Sequence, residues 1–261
     1  MKHFTLISIL AAAVVLAGLA MFAATASAVD VPATEDAWIG FGAGLGPTVA
    51  TDPHDGDSLV LKLDTAPNER KVYMKFDLSS INFSATNAQL LITSTNDNAL
   101  SRRPDIASEF DVYACPDLGA CETWDETTLT WENAPGNNLV AGDPDQNSYP
   151  RDPFPGFTLV GSFAQTLNDP PASRIAKGDV YTMSSSPELL AAINNDTNNT
   201  LTLAIATGEA GFPDGYGPGF ASHNNASFSG PILTIVPEPA TSCLLGLGLV
   251  ALLAGYRRRS R

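Results

Sequence analysis

Residue types suited to chemistry gather in one run of this 261-residue chain, Cys121-Glu122-Thr123-Trp124-Asp125-Glu126-Thr127-Thr128-Leu129-Thr130-Trp131-Glu132-Asn133-Ala134-Pro135. Two chemistries fit it. Glu122, Asp125, Glu126 and Glu132 offer carboxylates for a glycosidase pair, in which the separation of the two acids selects the mechanism. Trp124 beside Asp125 and Glu126 offers a sugar site, with an aromatic face for the ring and acceptors for the hydroxyls. Trp38, Tyr149, Phe154 and Tyr216 are further aromatic candidates. Trp131, near Leu129 and a proline, reads as core, and so does Trp38 in its strand. Asp36, Asp52, Asp55 and Asp57 supply hard oxygen ligands for a structural calcium, although their spacing is not that of an EF-hand loop. No cofactor is required by any motif. Gly-x-Ser-x-Gly and His-Glu-x-x-His are both absent, and only His54 and His223 remain in the body, so the expectation is a protein that is not an enzyme.

Strands must position these groups. Period-2 alternation sets Val72, Met74 and Phe76 against Lys71, Tyr73 and Lys75, and it sets Leu201, Leu203 and Ile205 on one face. Further strands are predicted over 33–39, 58–63, 87–95, 109–114, 157–164, 220–222 and 232–236, with a short one beginning at 178. One helix is predicted from Pro187, with Ser186 as cap, proline at the first position and Glu188 at the positive end of the dipole. The expected fold class is therefore all-β, a jelly-roll-like β-sandwich with one short helix, flanked by an N-terminal signal-peptide helix and a C-terminal hydrophobic helix. Cys115 and Cys121 enclose Pro-Asp-Leu-Gly-Ala and read as a disulfide in an exported protein; a metal site is the weaker alternative, since no further thiol or nearby histidine completes it.

The two ends read as addresses. A basic start, an apolar run over 6–24 and Ala26-Ser27-Ala28 make a secretory signal peptide over 1–28, cut between Ala28 and Val29. Val236-Pro237-Glu238-Pro239 precedes an apolar run and then Arg257, Arg258, Arg259 and Arg261. That run is near the lower length limit for a transmembrane helix, the arginines would stay on the cytoplasmic side, and the whole reads as a stop-transfer segment. Between the ends lies one domain over 29–236, followed by a tail over 237–261 whose box begins at Val236. Without the ends, 9 basic residues face 27 acidic ones, a net charge near −18. A balance so acidic excludes nucleic acid as partner, because phosphate contacts need a basic face.

Two resemblances follow from these residues. The Val-Pro-Glu-Pro box, apolar run and arginine cluster resemble the PEP-CTERM sorting signal of Gram-negative bacteria. That resemblance implies a membrane-anchored precursor, an exosortase and the secretion machinery as partners, and a place outside the cell or on its outer surface near exopolysaccharide. In the body, Asp36-Ala37-Trp38-Ile39, Arg70 with Val72-Tyr73-Met74-Lys75-Phe76-Asp77, and Trp124-x-Glu126-x-x-Leu129-Thr130-Trp131-x-Asn133-x-Pro135 resemble the DNRLRE domain, a secreted sandwich grouped with carbohydrate-binding modules. It implies a polysaccharide partner, acidic in some members. The family's late Ser-Arg-Glu is here Ser222-His223-Asn224, and a body near −18 repels a polyanion. The expected function is a non-enzymatic surface or matrix protein that binds or organises polysaccharide. A structural protein without a glycan site and a polysaccharide-cleaving enzyme are the alternatives.

Overall fold

The computed structural model describes residues 27–40, 58–61, 70–95, 108–131, 133–137, 154–165, 177–207 and 219–238. Val29–Ile235 form one compact unit; of the unit made by the two ends, only 27–28 and 236–238 are described. Ten strands are described: β1 (Val29–Gly40), β2 (Ser58–Val60), β3 (Arg70–Asp77), β4 (Ala85–Thr93), β5 (Ser108–Ala114), β6 (Thr158–Gln165), β7 (Val180–Met183), β8 (Thr200–Thr207), β9 (Gly219–Ala221) and β10 (Ile232–Pro237). Helix α1 (Pro187–Asn194) stands between β7 and β8.

Eight strands follow the hydrogen-bonded order β6-β5-β8-β3-β1-β10-β4-β7, and β2 pairs with β9. Long strand β1 joins the two layers. Its first residues pair with β10, Val29 opposite Ile235, and its remainder pairs with β3, Trp38 opposite Val72. The register shifts between Ala33 and Glu35, where an irregularity re-aims the strand. The two ends of the strand order meet through side chains: Phe163 of β6 lies edge-to-face with Tyr181 of β7 at 6.2 Å between centroids. A Cβ on Gly161 would lie 2.7 Å from Met183 Sδ, so β6 and β7 approach closely here and a larger residue would push the methionine aside. The sheet is thus nearly closed, and the all-β reading holds.

The alternating apolar residues fill the inside. Val72, Met74 and Phe76 of β3 join Leu90, Ile92, Phe110, Val112, Leu203 and Ile205, all buried. Helix α1 forms for the reasons its sequence predicts. Ser186 Oγ accepts the Leu189 N–H at 2.9 Å and donates to the Val160 carbonyl, Pro187 starts the helix, and Leu189 and Ile193, four apart, are buried.

On β3 the structure adds something the alternation does not predict: both faces are buried. Lys71 and Tyr73 are fully covered, and Lys75 is nearly so. The cover is the tryptophan stretch together with Phe154, and a second core outside the sheet sets Trp124, Leu129, Trp131, Ala134 and Phe154 on Tyr73, Ala37, Ile39, Ala204 and Ala206. A fully buried tryptophan removes about 200 Å² from water, worth roughly 5 kcal/mol before entropy is charged against it. Trp131, fully buried, therefore plugs this outer core, as its neighbours in sequence predict.

Candidate functional site

Three residues of β3 clamp the tryptophan stretch. Lys71 Nζ donates to Asn137 Oδ1 at 2.9 Å and stands over the rings of Trp131 and Phe154. The Tyr73 hydroxyl donates to the Pro135 carbonyl at 2.9 Å. Lys75 Nζ donates to the Trp124 carbonyl, pairs with Glu35 at 2.8 Å and sits 4.7 Å from the Trp124 ring centre. Within the stretch, Asp125 Oδ1 accepts the Thr127 N–H at 2.8 Å, and Asn133 bonds both Thr130 N–H and the Thr128 carbonyl. The Thr127 hydroxyl, first, and its N–H hold the exposed Asp125 carboxyl below the usual range. The segment is a self-bonded cover tied to the sheet.

Trp124 is 7% exposed, its indole N–H donates to Thr202 Oγ1 at 3.1 Å, and Lys75 occupies a ring face. Trp124 lines a groove of about 230 Å³ together with Asp125, Thr128, Asn133 and Pro135. Phe154, an aromatic candidate from the sequence, is fully buried against Tyr73, Tyr113 and Phe157 and presents no face to a sugar. Trp38 is half-buried with the Arg70 guanidinium 4.6 Å over its ring. Tyr149, Tyr216, Glu132, Asp52, Asp55 and Asp57 lie outside the described residues, as do the apolar runs of both ends, Pro239 and Arg257, Arg258 and Arg259. Among the described residues no helix is long and apolar enough to cross a membrane.

The carboxylates fall into two clusters. Asp36, the one calcium candidate described, meets Glu126 and His223. Its Oδ2 accepts the His223 N–H at 2.6 Å and its Oδ1 contacts His223 Nδ1 at 2.9 Å, while Glu126 Oε2 accepts the Asp36 N–H at 3.1 Å. Glu126 Oε2 also lies 3.6 Å from His223 Nδ1. Two carboxylates and an imidazole could take a divalent cation, yet their mutual hydrogen bonds already satisfy the buried Asp36. The cluster joins β1, the tryptophan stretch and the segment after β9. Nothing local in the sequence pairs His223 with a residue 187 positions away.

The second cluster is Asp117, Glu122 and Asp196. Cys115 and Cys121 are bonded, with Cα atoms 5.9 Å apart, and the loop they close carries Asp117 and leads into the 3-10 turn Ala120–Glu122. Gly119 is required there, since a Cβ would meet the Pro116 carbonyl at 2.7 Å and Cys121 Sγ at 2.8 Å. This loop bonds the turn after α1: Thr197 donates to Asp117, and Asn198 Nδ2 donates to Glu122 Oε2 at 2.6 Å. Burial, then the neighbouring Asp117 and Asp196 charges, pushes the Glu122 carboxyl up, and burial does the same to Asp196. The Thr197 hydroxyl holds Asp117 below its ordinary range.

The expected processing points lie at strand ends. Val29 is the first residue of β1, and Ala28 precedes it. Val236 and Pro237 close β10, with Glu238 exposed beyond it.

With this geometry in hand, the comparisons bear on the class. Residues 27–148 match the model of carbohydrate-binding module family 96. Residues 236–259 match the PEP-CTERM protein-sorting motif, by which exported proteins of Gram-negative bacteria are handled by an exosortase. The first match supports the carbohydrate-module part of the resemblance, and the DNRLRE name stays a proposal. No curated protein matches. Among solved structures, the latent aurone synthase (polyphenol oxidase) from natural source is similar at 11% identity and a TM-score of 0.31, over 64% of this chain and 25% of that one. The chain thus spans a quarter of that protein's length, and a likeness this weak carries no argument.

Proposed function

We propose that this chain is a non-enzymatic, exported surface or matrix protein of a Gram-negative bacterium whose DNRLRE-like sandwich binds or organises polysaccharide. The observation that carries the reading is the joining of a carbohydrate-binding-module match over 27–148 to a sorting motif over 236–259 on one chain. A signal peptide cut between Ala28 and Val29 starts its export, a membrane-anchored precursor follows, and an exosortase acts at Val236-Pro237-Glu238-Pro239. The carboxylates support a binding role over a cleaving one: Glu122 and Glu126 belong to separate clusters and each is held by structural hydrogen bonds. The fold needs no cofactor; calcium is an accessory that the acidic clusters could accept. Pull-down of the full chain with a polysaccharide panel, with and without calcium, is the test. Retention on at least one polymer without release of reducing ends is expected, and no retention on any polymer overturns it.

A specific observation favours a second reading, a structural surface protein with protein partners. The large hydrophobic side chains exposed among the described residues are Leu118, Leu159 and Val180, and none is aromatic. Capture of a surface protein, with no polysaccharide retained, would select it.

A further inference from the structure

The proposed function needs a surface that meets the glycan, and the tryptophan stretch is spent on holding itself to the sheet. Resting on that reading, a different place qualifies. A groove of about 300 Å³ runs between the β3–β4 turn and the end of α1, with Ile81, Asn82, Phe83, Asn194, Asp196 and Asn199 in its walls. This volume falls at the lower end for small-ligand sites.

Its walls are tied before any ligand arrives. Leu78 N–H donates to the Asn199 carbonyl at 2.9 Å, and Ile81 N–H to the Leu78 carbonyl at 2.8 Å. The Asn194 amide spans Ala85, accepting from its N–H at 2.7 Å and donating to its carbonyl at 3.0 Å. Asn199 holds a left-handed backbone at φ 62°, which asparagine tolerates better than most residues. Prior fixing of both walls lowers the ordering cost of binding.

The lining matches a sugar's two kinds of surface. Phe83 and Ile81 are half-buried, packed on the core from one side, and offer apolar area to the CH face of a ring. The exposed Asn82 and Asn199 side chains make no hydrogen bond among the described residues and supply donors and acceptors to hydroxyls. The other groove differs here, because its Asn133 and Asp125 are already engaged in their own turn.

Charge then selects the polymer. Asp196 lines the groove and lies with Asp117 and Glu122, their oxygens within 4.8 Å of one another. Among the described residues, no lysine or arginine lines the groove. A uronate or sulfate seated there would stand well within the ~8 Å screening length of these carboxylates at physiological salt. We propose that this groove binds a segment of neutral polysaccharide, with Phe83 and Ile81 under the ring and Asn82, Asn199 and Asp196 on its hydroxyls, and that its acidic end rejects polyanions.

Affinity electrophoresis of the full chain tests this, in gels carrying neutral polymers (β-glucan, galactomannan, arabinoxylan, dextran) or polygalacturonate, with and without calcium. Retardation by at least one neutral polymer and none by polygalacturonate is expected. Asn82→Ala and Phe83→Ala should each weaken that retardation about tenfold, equivalent to ~1.4 kcal/mol. Asp125→Asn in the other groove should leave it unchanged. Asn82 has no structural bond to lose, so a thermal melt of that variant separates loss of binding from loss of fold. Retardation confined to polygalacturonate, or neutral retardation untouched by both groove variants, overturns the neutral groove while leaving the carbohydrate reading in place. No retardation by any polymer overturns that reading with it.

Discussion

Tyr181 carries its hydroxyl into an aromatic cluster where the Phe110, Phe163 and Phe220 rings stand edge-on around it, and the buried oxygen has no hydrogen-bond partner among the described residues. Burial, then the Asp179 charge, pushes its phenol far above the ordinary tyrosine range. A buried unpaired hydroxyl costs on the order of 1–3 kcal/mol. Tyr181→Phe should therefore raise stability by about 1 kcal/mol, seen as a melting temperature higher by roughly 2–4 °C for a domain of this size. A fall would mean that the hydroxyl has a partner. Trp124 leads to the opposite expectation. With its ring under Lys75 and its N–H on Thr202, Trp124→Ala should cost about 3–5 kcal/mol in denaturant unfolding. Trp124→Phe should keep polysaccharide retention, and its loss in a folded variant would return Trp124 to the role the sequence offers it.

At the scale of elements, the link between the disulfide loop and the turn after α1 is expected to depend on pH. The folded Glu122 and Asp196 carboxyls lie above their unfolded values. A raised carboxyl contributes stability that is complete below the unfolded value, about 4 for glutamate, and lost as pH rises through the folded value. Each group therefore contributes less to the fold at neutral pH than in acid. Glu122→Gln keeps an acceptor for Asn198 and removes the charge, so it should raise the melting temperature at pH 7. The gain should shrink toward about pH 4, where Glu122 is already neutral. A gain that grows on acidification would contradict the placement. Helix α1 and β3 are both legible in sequence, for local reasons: Ser186, Pro187 and Glu188 sit where a helix start needs them, and Val72, Met74 and Phe76 alternate at the strand period. That Lys71 and Tyr73 are also buried is not legible, because their cover arrives from residues 124–137.

Over the whole molecule, the acidic balance bears on metal and ligand. The Asp36 carboxylate accepts the His223 N–H and contacts His223 Nδ1, while Glu126 accepts the Asp36 N–H, and from this the fold is expected to stand without a cation. Chelation with EDTA should leave the melting temperature unchanged. A fall would put a resident cation on one of the acidic clusters, by the stabilisation that binding to the native state confers. The net charge of −14 for the chain acts with the Asp117, Glu122 and Asp196 cluster in the same direction, toward neutral glycans.

Strand periods, the helix, the cysteine pair, the sorting box and the class of fold are all written in neighbouring residues or in short spacings, which is why the bare chain yields them. What the tryptophans do, which acids meet and where a sugar could rest are settled only once the chain has folded. Those outcomes join residues far apart in the chain, such as Asp36 with His223 and Asn194 with Ala85, and no local pattern encodes such pairings. The tryptophan stretch, the richest in chemistry when read as sequence, became the cover of an outer core because β3 presents Lys71, Tyr73 and Lys75 to it.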